Sequence, residues 1–224
     1  MGGTAMSLEL LLRRRAMMGG KKYFKFADPE VSRVVANKIG DSVGTTLEQI
    51  QSCTFMEGWF DGNTLIRTFD ELEKFSSLRA IGNYTFRGCT NLTSTKLPQS
   101  LIRFYNDVFE NTKIQSIVVP DSVTYMGIRV FSSCSSLKYA VIGRSVNGTM
   151  VGTFRYASKF ETLVMLPLNP PGFNHVFYGA SRIPYIYVQY SADHSILDAY
   201  KTAYGWSNYS DRMLELDENG NIPT

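Results

Sequence analysis

Few side chains in this sequence could perform metal or nucleophilic chemistry. The candidates are the three cysteines and the two histidines, namely Cys53, Cys89, Cys134, His175 and His194. A structural metal site needs Cys or His ligands at close spacing, and a full disulfide framework needs more than three cysteines. Cys89 and Cys134 lie 45 residues apart at one phase of a repeat, which predicts two small core residues. We therefore expect neither a metal nor a cofactor.

The motifs of the common enzyme classes do not occur in the sequence. A nucleophile elbow, a phosphate-binding glycine loop, a zinc-binding helix and a dinucleotide fingerprint are all missing at the required spacing. His175 precedes a repeat phenylalanine and His194 begins the last predicted helix, so both are interpreted as surface or capping residues. Asp41 is the only carboxylate in the loop at 40–45, too few for an EF-hand calcium loop. The protein is predicted not to be an enzyme.

The elements that position these residues repeat with a period of 22 or 23 residues. One column of the repeat consists of phenylalanines: Phe86, Phe109, Phe131, Phe154 and Phe177. A second column starts short alternating apolar stretches: Leu92, Ile114, Leu137, Phe160 and Ile183. Those stretches end on Leu97, Val119, Ile142, Met165 and Val188. Self-similarity at this period is typical of a solenoid, in which each unit buries its apolar face against its neighbours. Function is therefore expected on a surface.

Four regions follow from the pattern along the chain. They are a basic N-terminal docking arm at 1–26, a helix-loop-helix cap at 27–60, the solenoid at 61–190, and a C-terminal cap and tail at 191–224. In the N-terminal cap, Asp28 followed by Pro29 predicts a helix start, and Val31, Val34 and Val35 form its apolar face. A second helix is expected at 47–53, and a terminal helix from Asp193 to Tyr204 with Trp206 packed behind it.

Several stretches together resemble one known family. Leu78-Arg-Ala-Ile81 with Phe86, Cys89 and Leu92, and later IVVPDSVTYMG with Phe131 and Cys134, resemble the BspA-like leucine-rich repeat family over residues 61–210. The ending NPPGF, IYV and AYKTAYGW is similar to the terminal unit of such proteins from gut Bacteroidetes and the phages that infect them. Gln189 departs from this pattern, because the family usually places proline there.

The resemblance implies both a fold and a class of function. The fold is an α/β solenoid of leucine-rich repeats, each 22–23 residues long, with a parallel sheet and small helical caps at the N- and C-terminal ends. Members of the family are chiefly adhesion and recognition proteins without catalytic residues, so the resemblance implies no active site.

Within each strand, the residues between the inward positions must project from the exposed face of the sheet. One outward column consists of Ser94, Ser116, Tyr139, Thr162 and Tyr185, and the other of Lys96, Val118, Val141, Val164 and Tyr187. A solvated face should be polar, yet this one gathers three valines and three tyrosines around a single charge. It is predicted to bind a partner through Lys96, Val118, Tyr139, Val141, Val164, Tyr185 and Tyr187.

Two interpretations of this face stay open. In one, valine simply suits a strand and a segment of the same chain covers the patch. In the other, a receptor, a glycan or a second copy of the chain binds there, and a homo-oligomer is one form this takes. Tyr185, Tyr187 and Tyr190 favour either a recognition edge or the core of the C-terminal cap.

The N-terminal arm differs from the body in charge. The whole chain has a net charge of +3, whereas residues 1–26 carry six basic side chains and Glu9, a balance of +5, which leaves −2 for the rest. The body has no basic stripe with interleaved aromatic residues, and no apolar run approaches the roughly 20 residues of a membrane span. We expect no nucleic acid and no membrane insertion. The arm is either a frayed terminus or a docking peptide, formed by Leu8, Leu11, Leu12, Arg13, Arg14 and Arg15.

Two functions are compatible with these features. The first is a phage virion component of the fibre or decoration type, assembled in the host cytoplasm, whose arm docks on virion proteins and whose repeats bind a host surface protein or glycan. The second is a bacterial cell-surface adhesin or protein-binding scaffold.

Overall fold

The computed structural model describes residues 21–223, which form a solenoid with parallel strands in two walls around one core. Within these residues the three α-helices are α1 Pro29–Ile39, α2 Leu47–Ser52 and α3 Ser195–Thr202, and two 3₁₀ helices span Asp70–Lys74 and Trp206–Arg212. The strands of the first wall are β2 Thr68–Phe69, β4 Ser94–Thr95, β6 Ser116–Val118, β8 Tyr139–Ile142, β10 Thr162–Met165, β12 Tyr185–Val188 and β13 Met213–Glu215. The strands of the second wall are β1 Phe55–Met56, β3 Ala80–Ile81, β5 Arg103–Phe104, β7 Tyr125–Met126, β9 Met150–Val151 and β11 Phe173–Asn174.

The chain alternates between the two walls from β1 to β12, and all strand pairs within them are parallel. The first wall contains a five-stranded sheet in the order β13-β12-β10-β8-β6, next to the pair β2-β4. The second wall contains the sheet β1-β3-β5-β7 and the pair β11-β9. The parallel leucine-rich repeat fold expected from the resemblance is therefore confirmed, with few and short helices.

The second wall was not predicted from the sequence. The alternating apolar stretches predicted strands in the first wall alone, whereas Tyr125–Met126 pairs with Arg103–Phe104 as a strand of the second. β1 lies inside the range 27–60 of the predicted cap and pairs with β3, so part of that range belongs to a solenoid sheet. The four region boundaries themselves stay predictions.

The repeat phenylalanines form a continuous stack through the core. Phe60, Phe86, Phe109, Phe131, Phe154 and Phe177 stack at centroid separations of 5.2, 5.0, 5.5, 5.8 and 6.2 Å, in that order. Their ring planes lie within 16° of parallel. Each repeat thus buries its phenylalanine ring against the equivalent ring of the next repeat, and this contact stabilises one solenoid unit on the other.

The turns between the walls form a ridge that we call the turn ridge. It consists of the segments 58–62, 84–88, 107–111, 129–133, 152–156 and 175–179, and the first and last residue of each has a left-handed backbone with positive φ. Backbone hydrogen bonds join neighbouring turns: the N–H of Phe109 donates to the Val130 carbonyl at 2.8 Å, and that of Phe131 to Thr153 at 3.0 Å. The ridge is a third hydrogen-bonded ladder beside the two walls.

The N-terminal cap is tied to the first repeat through Asp28. Its Oδ1 accepts a hydrogen bond from the N–H of Glu30 at 2.8 Å, as predicted for the residue that caps α1. Its Oδ2 accepts from the N–H of Arg67 at 2.7 Å, next to β2. The predicted apolar face of α1, Val31, Val34 and Val35, is buried. One carboxylate therefore both starts the helix and attaches it to the solenoid.

The C-terminal cap is fixed by two buried aromatic side chains. The Tyr200 hydroxyl donates to the Pro167 carbonyl at 3.0 Å, and the Trp206 indole N–H donates to the Pro171 carbonyl at 2.7 Å. The predicted helix is present but ends at Thr202, before Tyr204. β13 follows it and extends the first wall, a strand that the sequence analysis did not predict.

The predicted core role of the repeat cysteines is confirmed. Cys89 and Cys134 are fully buried, and their thiols donate to the carbonyls of Phe60 and Phe109 at 3.0 and 3.1 Å. Burial raises the pKa of Cys89 to about 12 and that of Cys134 to about 11. Both thiols therefore stay protonated and unreactive at neutral pH.

Candidate partner-binding face

The five-stranded sheet of the first wall aligns the predicted outward residues in register. Tyr139, Thr162 and Tyr185 are direct partners on β8, β10 and β12. The second column runs Val118, Val141, Val164, Tyr187 and Leu214, from β6 to β13. We call these columns, with Ser116, the partner face. The residues between them, such as Ala140 and Ile186, point into the core and are fully buried.

The partner face is most exposed at its two ends. Val118 is 57 % exposed at one end, and Tyr185 and Leu214 are 47 % and 44 % exposed at the other. Tyr139, Val141 and Tyr187 are partly buried between them. A partner could therefore gain apolar contact at both ends of the sheet, because an exposed side chain gains most from burial.

The structure corrects the expectation that Val164 is exposed. Only 4 % of its surface is accessible, because Val141 and Tyr187 flank it in register on the two neighbouring strands. A central strand places a neighbour on each side of every outward residue, and a large neighbour such as Tyr187 covers a small one. Val164 supports the face and offers little surface to a partner.

Lys96 also lies apart from the rest of the predicted set. It follows β4, which pairs with β2 in a separate two-stranded sheet, and it is exposed. Ser94, in the same strand, donates a hydrogen bond to the Asp70 carboxylate. The structure thus brings six of the seven predicted contact residues to one sheet, with Lys96 beyond its edge.

Leu214 is the residue of this face that sequence reasoning missed. It extends the second column beyond Tyr187, because β13 pairs with β12 in register. The alternating stretch Met213-Leu-Glu-Leu216 was the available signal, since Met213 and Leu216 are buried while Leu214 is exposed. The stretch was overlooked because it lies outside the 22–23-residue repeat.

The outward positions of the five-stranded sheet carry no charged side chain, and charges lie at its margin. The guanidinium of Arg212 lies 5.6 Å from the ring centroid of Tyr185, a cation–π distance. Arg182 pairs with Glu161 at 3.5 Å where β10 and β12 begin. An uncharged aromatic and aliphatic centre with a charged rim is the usual anatomy of a protein interface.

The histidines and Asp41 lie away from this face. His175 and His194 are exposed, and Nδ1 of His194 lies 2.5 Å from a carboxylate oxygen of Glu215. Asp41 accepts hydrogen bonds from the N–H groups of Val43 and Gly44, which lower its pKa. Among residues 21–223, no three His, Cys, Asp or Glu side chains lie close enough to hold a metal ion.

Two predictions concern other parts of the chain. The proposed docking residues Leu8, Leu11, Leu12 and Arg13 to Arg15 lie outside the described residues, so the docking role stays a prediction. Within residues 21–223, no helix has the length and apolar character required to cross a bilayer.

A comparison with protein families identifies the repeats. The model of the BspA-type leucine-rich repeat region matches six copies over residues 64–184, more than half of the chain. The chain belongs to this family. No curated protein matches this BspA-type chain.

Solved structures with similar folds come from three bacteria. A leucine-rich repeat protein of Bacteroides ovatus is 21 % identical, with a TM-score of 0.41, and the match covers 62 % of the BspA-type chain and 40 % of that protein. The T. pallidum leucine-rich repeat protein is 20 % identical, with a TM-score of 0.46 and coverage of 71 % and 76 %. Internalin C2 of Listeria monocytogenes is 14 % identical, with a TM-score of 0.27 and coverage of 85 % and 83 %. The chain spans less than half the length of the B. ovatus protein.

Proposed function

We propose that this BspA-type protein is a non-enzymatic binding protein whose partner face contacts another protein. Leucine-rich repeat proteins generally mediate protein–protein interactions, which supports the class of function. One observation carries the proposal: an aligned column of uncharged, largely apolar side chains lies in register on an open sheet. The column consists of Val118, Val141, Val164, Tyr187 and Leu214. Tyr185 beside it adds a rigid ring with a polar tip, as interface hot spots do.

A triple variant tests this proposal. Val118→Ser, Tyr185→Ser and Leu214→Ser together remove the most exposed contacts of the partner face and leave the buried Val164 in place. The matched control is Phe55→Ser, Tyr125→Ser and Leu168→Ser, three apolar residues of similar exposure that lie outside the face. The readout is chemical cross-linking of the protein to its partner. Loss of the cross-linked partner in the first variant alone would support the proposal. Equal loss in both variants, or in neither, would contradict it.

For the biological setting we propose a phage virion component of the fibre or decoration type. Phe26 is buried against Phe69, so residues 21–26 belong to the body in place of the predicted arm at 1–26. The anchoring segment is then residues 1–20, with the leucines Leu8, Leu11 and Leu12 followed by the basic triplet Arg13 to Arg15. The arm then docks on virion proteins, and the repeats bind a host surface protein or glycan or a neighbouring subunit. Deletion of residues 1–20 should abolish incorporation into particles without changing the melting temperature of the body. Unchanged incorporation would refute the arm.

The second candidate is a bacterial cell-surface adhesin or scaffold, which the family supports through its general binding role. The two settings differ in where the chain accumulates. Mass spectrometry of purified particles, outer membrane and cytosol from one culture distinguishes them. A fixed copy ratio in particles supports the virion, whereas presence in the membrane alone supports the adhesin.

A further inference from the structure

A cleft lies between the C-terminal cap and the last turns of the turn ridge, away from the partner face. Its volume is about 620 Å³. Rings line it from both sides: Phe173 and Tyr178 from the last repeat, and Tyr204 and Tyr209 from the cap. Asn174 and Asn208 add amide groups. We call this space the C-terminal cleft.

The composition of the C-terminal cleft is selective for a chemical class of ligand. None of the described residues that line it is aspartate, glutamate, lysine or arginine, and none is valine, leucine or isoleucine. Aromatic faces with amide and hydroxyl groups suit a ligand that has flat C–H surfaces and many hydroxyl edges. A saccharide has both, whereas a protein partner would bring aliphatic side chains that find no aliphatic wall here.

The rings of the cleft are held in place from behind. Phe173 packs edge to face on Trp206 at a centroid distance of 5.0 Å, and Tyr209 packs on Phe177 at 5.3 Å. Gly205 has φ +79°, and a Cβ there would lie 2.6 Å from the Phe173 ring, so this close turn requires glycine. The cleft is thus pre-organised, which lowers the entropic cost of binding.

Tyr204 is the exception to this packing. It is 91 % exposed although it directly precedes the rigid Gly205 turn. A tyrosine side chain has only two torsion angles, so a ligand that stacks on this exposed ring immobilises it at little cost in entropy. Tyr178, which lines the cleft from the last repeat, is 52 % exposed.

An uncompensated cation lies at one end of the cleft. A second hollow of about 390 Å³ shares His175 and Tyr178 with it and is lined further by Arg155, by Arg129 and by the aliphatic side chains of Ile128 and Val151. The Arg155 guanidinium lies 4.7 and 4.9 Å from the ring centroids of Tyr156 and Tyr178. Its Nη2 donates a hydrogen bond to the Tyr156 hydroxyl at 3.0 Å, and no ion pair of residues 21–223 includes Arg155. A carboxylate on a ligand in this hollow would supply the missing charge partner of the guanidinium.

We propose that the C-terminal cleft binds an oligosaccharide that carries a carboxylate, such as a uronate or sialate. The sugar rings stack on Tyr178 and Tyr204, the amides of Asn174 and Asn208 bind hydroxyl groups, and Arg155 binds the carboxylate. This site is separate from the partner face and does not depend on its function.

The test begins with the full chain on an array of neutral, uronate and sialate oligosaccharides. Isothermal titration calorimetry with the strongest-binding oligosaccharide and its methyl ester then measures affinity in wild type and variants. Tyr178→Ala and Tyr204→Ala should weaken both compounds at least about tenfold, because each removes a stacking surface. Arg155→Gln should weaken the acid about tenfold and leave the ester unchanged, because only the acid forms the charge-assisted pair.

The controls separate this site from the rest of the protein. Arg144→Gln removes the same charge as Arg155→Gln at a residue that does not line the cleft, and Tyr125→Ala removes a ring on the second wall with an exposure close to that of Tyr178. Both should retain full binding, as should the triple variant of the partner face. The proposal is overturned if no saccharide binds wild type, if acidic peptides bind in place of sugars, or if Tyr178→Ala and Tyr204→Ala retain binding. Circular dichroism of each variant checks that the fold is intact.

Discussion

The two halves of the turn ridge are held together by different side chains. In the first four turns, Arg87 binds Asp61 and Arg129 binds Asp107, each through two hydrogen bonds of 2.7 to 3.0 Å. In the last two turns, the Arg155 guanidinium lies 4.7 and 4.9 Å from the ring centroids of Tyr156 and Tyr178 and donates to the Tyr156 hydroxyl, without an ion-pair partner among the described residues. The phenylalanine stack follows the same division, at 5.0 Å for Phe86–Phe109 and 6.2 Å for Phe154–Phe177. The N-terminal half uses its polar groups for internal cohesion, and the C-terminal half leaves them for a ligand.

The largest expected effect comes from interrupting the stack. Phe109→Ala should lower the free energy of unfolding by about 4 kcal/mol, because a fully buried ring leaves a cavity between two repeats. Phe177→Ala should cost less, about 3 kcal/mol, because this ring ends the stack and has a single stacked neighbour, Phe154 at 6.2 Å. Urea unfolding followed by circular dichroism measures both. If Phe177→Ala proves the more costly change, the division between the halves is wrong.

Removing one carboxylate of each ion pair sharpens the comparison within the N-terminal half. The Asp107 side chain is 2 % exposed and that of Asp61 is 36 % exposed, although both bind an arginine in the same geometry. Asp107→Asn should cost about 2–3 kcal/mol because a buried charge pair is broken, and Asp61→Asn less than about 1 kcal/mol because the exposed pair is solvated. Asparagine keeps the left-handed backbone of Asp107, at φ 57°, free of added strain. Thermal unfolding of the two variants gives the difference. Equal losses would show that burial does not set the strength of these pairs.

Acid should weaken the N-terminal cap through Glu30. Hydrogen bonds from Arg33 lower its pKa from 4.5 to about 2, with a further contribution from Asn63. Because the folded-state pKa is depressed, this stabilisation is complete above pH 4.5 and is lost as the pH falls towards about 2. Glu30→Gln should be less stable at neutral pH and should lose less stability over that range. Urea midpoints measured at several pH values check this, and parallel curves for the two proteins would contradict it.

The smallest expected effects concern backbone conformation on the ridge. Ser133 and Gly88 occupy the same left-handed position of their turns, with φ of 58° and 69°. Ser133→Gly should raise the free energy of unfolding by about 1 kcal/mol, and Gly88→Ser should lower it by a similar amount. A Cβ at Gly88 meets only ordinary contacts, so the effect there is conformational. Differential scanning calorimetry measures both shifts, and shifts of the same sign would exclude this explanation.

The sequence predicted the parts of the fold that repeat with a strong side-chain signal. Phe86 to Phe177 marked the stack, and Asp28-Pro29 marked the first helix, because each pattern has one dominant physical cause. The second wall was missed because strands such as Tyr125–Met126 have only two residues, too few for a visible alternation. The left-handed turn positions were also hidden, since Tyr84, Arg129 and His175 occupy them in place of glycine.

The candidate sites were only partly accessible from the sequence. Alternation placed Val118 and Tyr185 on an outward face, but it could not show that neighbours on both sides bury Val164. The C-terminal cleft was not anticipated, because His175, Tyr204 and Arg155 are far apart in sequence and converge only through the packing of the cap. The missing carboxylate partner of Arg155 is a property of three-dimensional surroundings, which no local pattern encodes.

The three parallel ladders have a mechanical consequence. Their hydrogen bonds run from repeat to repeat, so a force that pulls the two ends of the solenoid apart acts on every interface in series. The whole body then resists only as strongly as its weakest interface, and among the described strands the first wall is interrupted between β4 and β6 and the second between β7 and β9. Under tension the protein should therefore open first at one of these two junctions, while the four-residue pairs β8–β10 and β10–β12 remain closed.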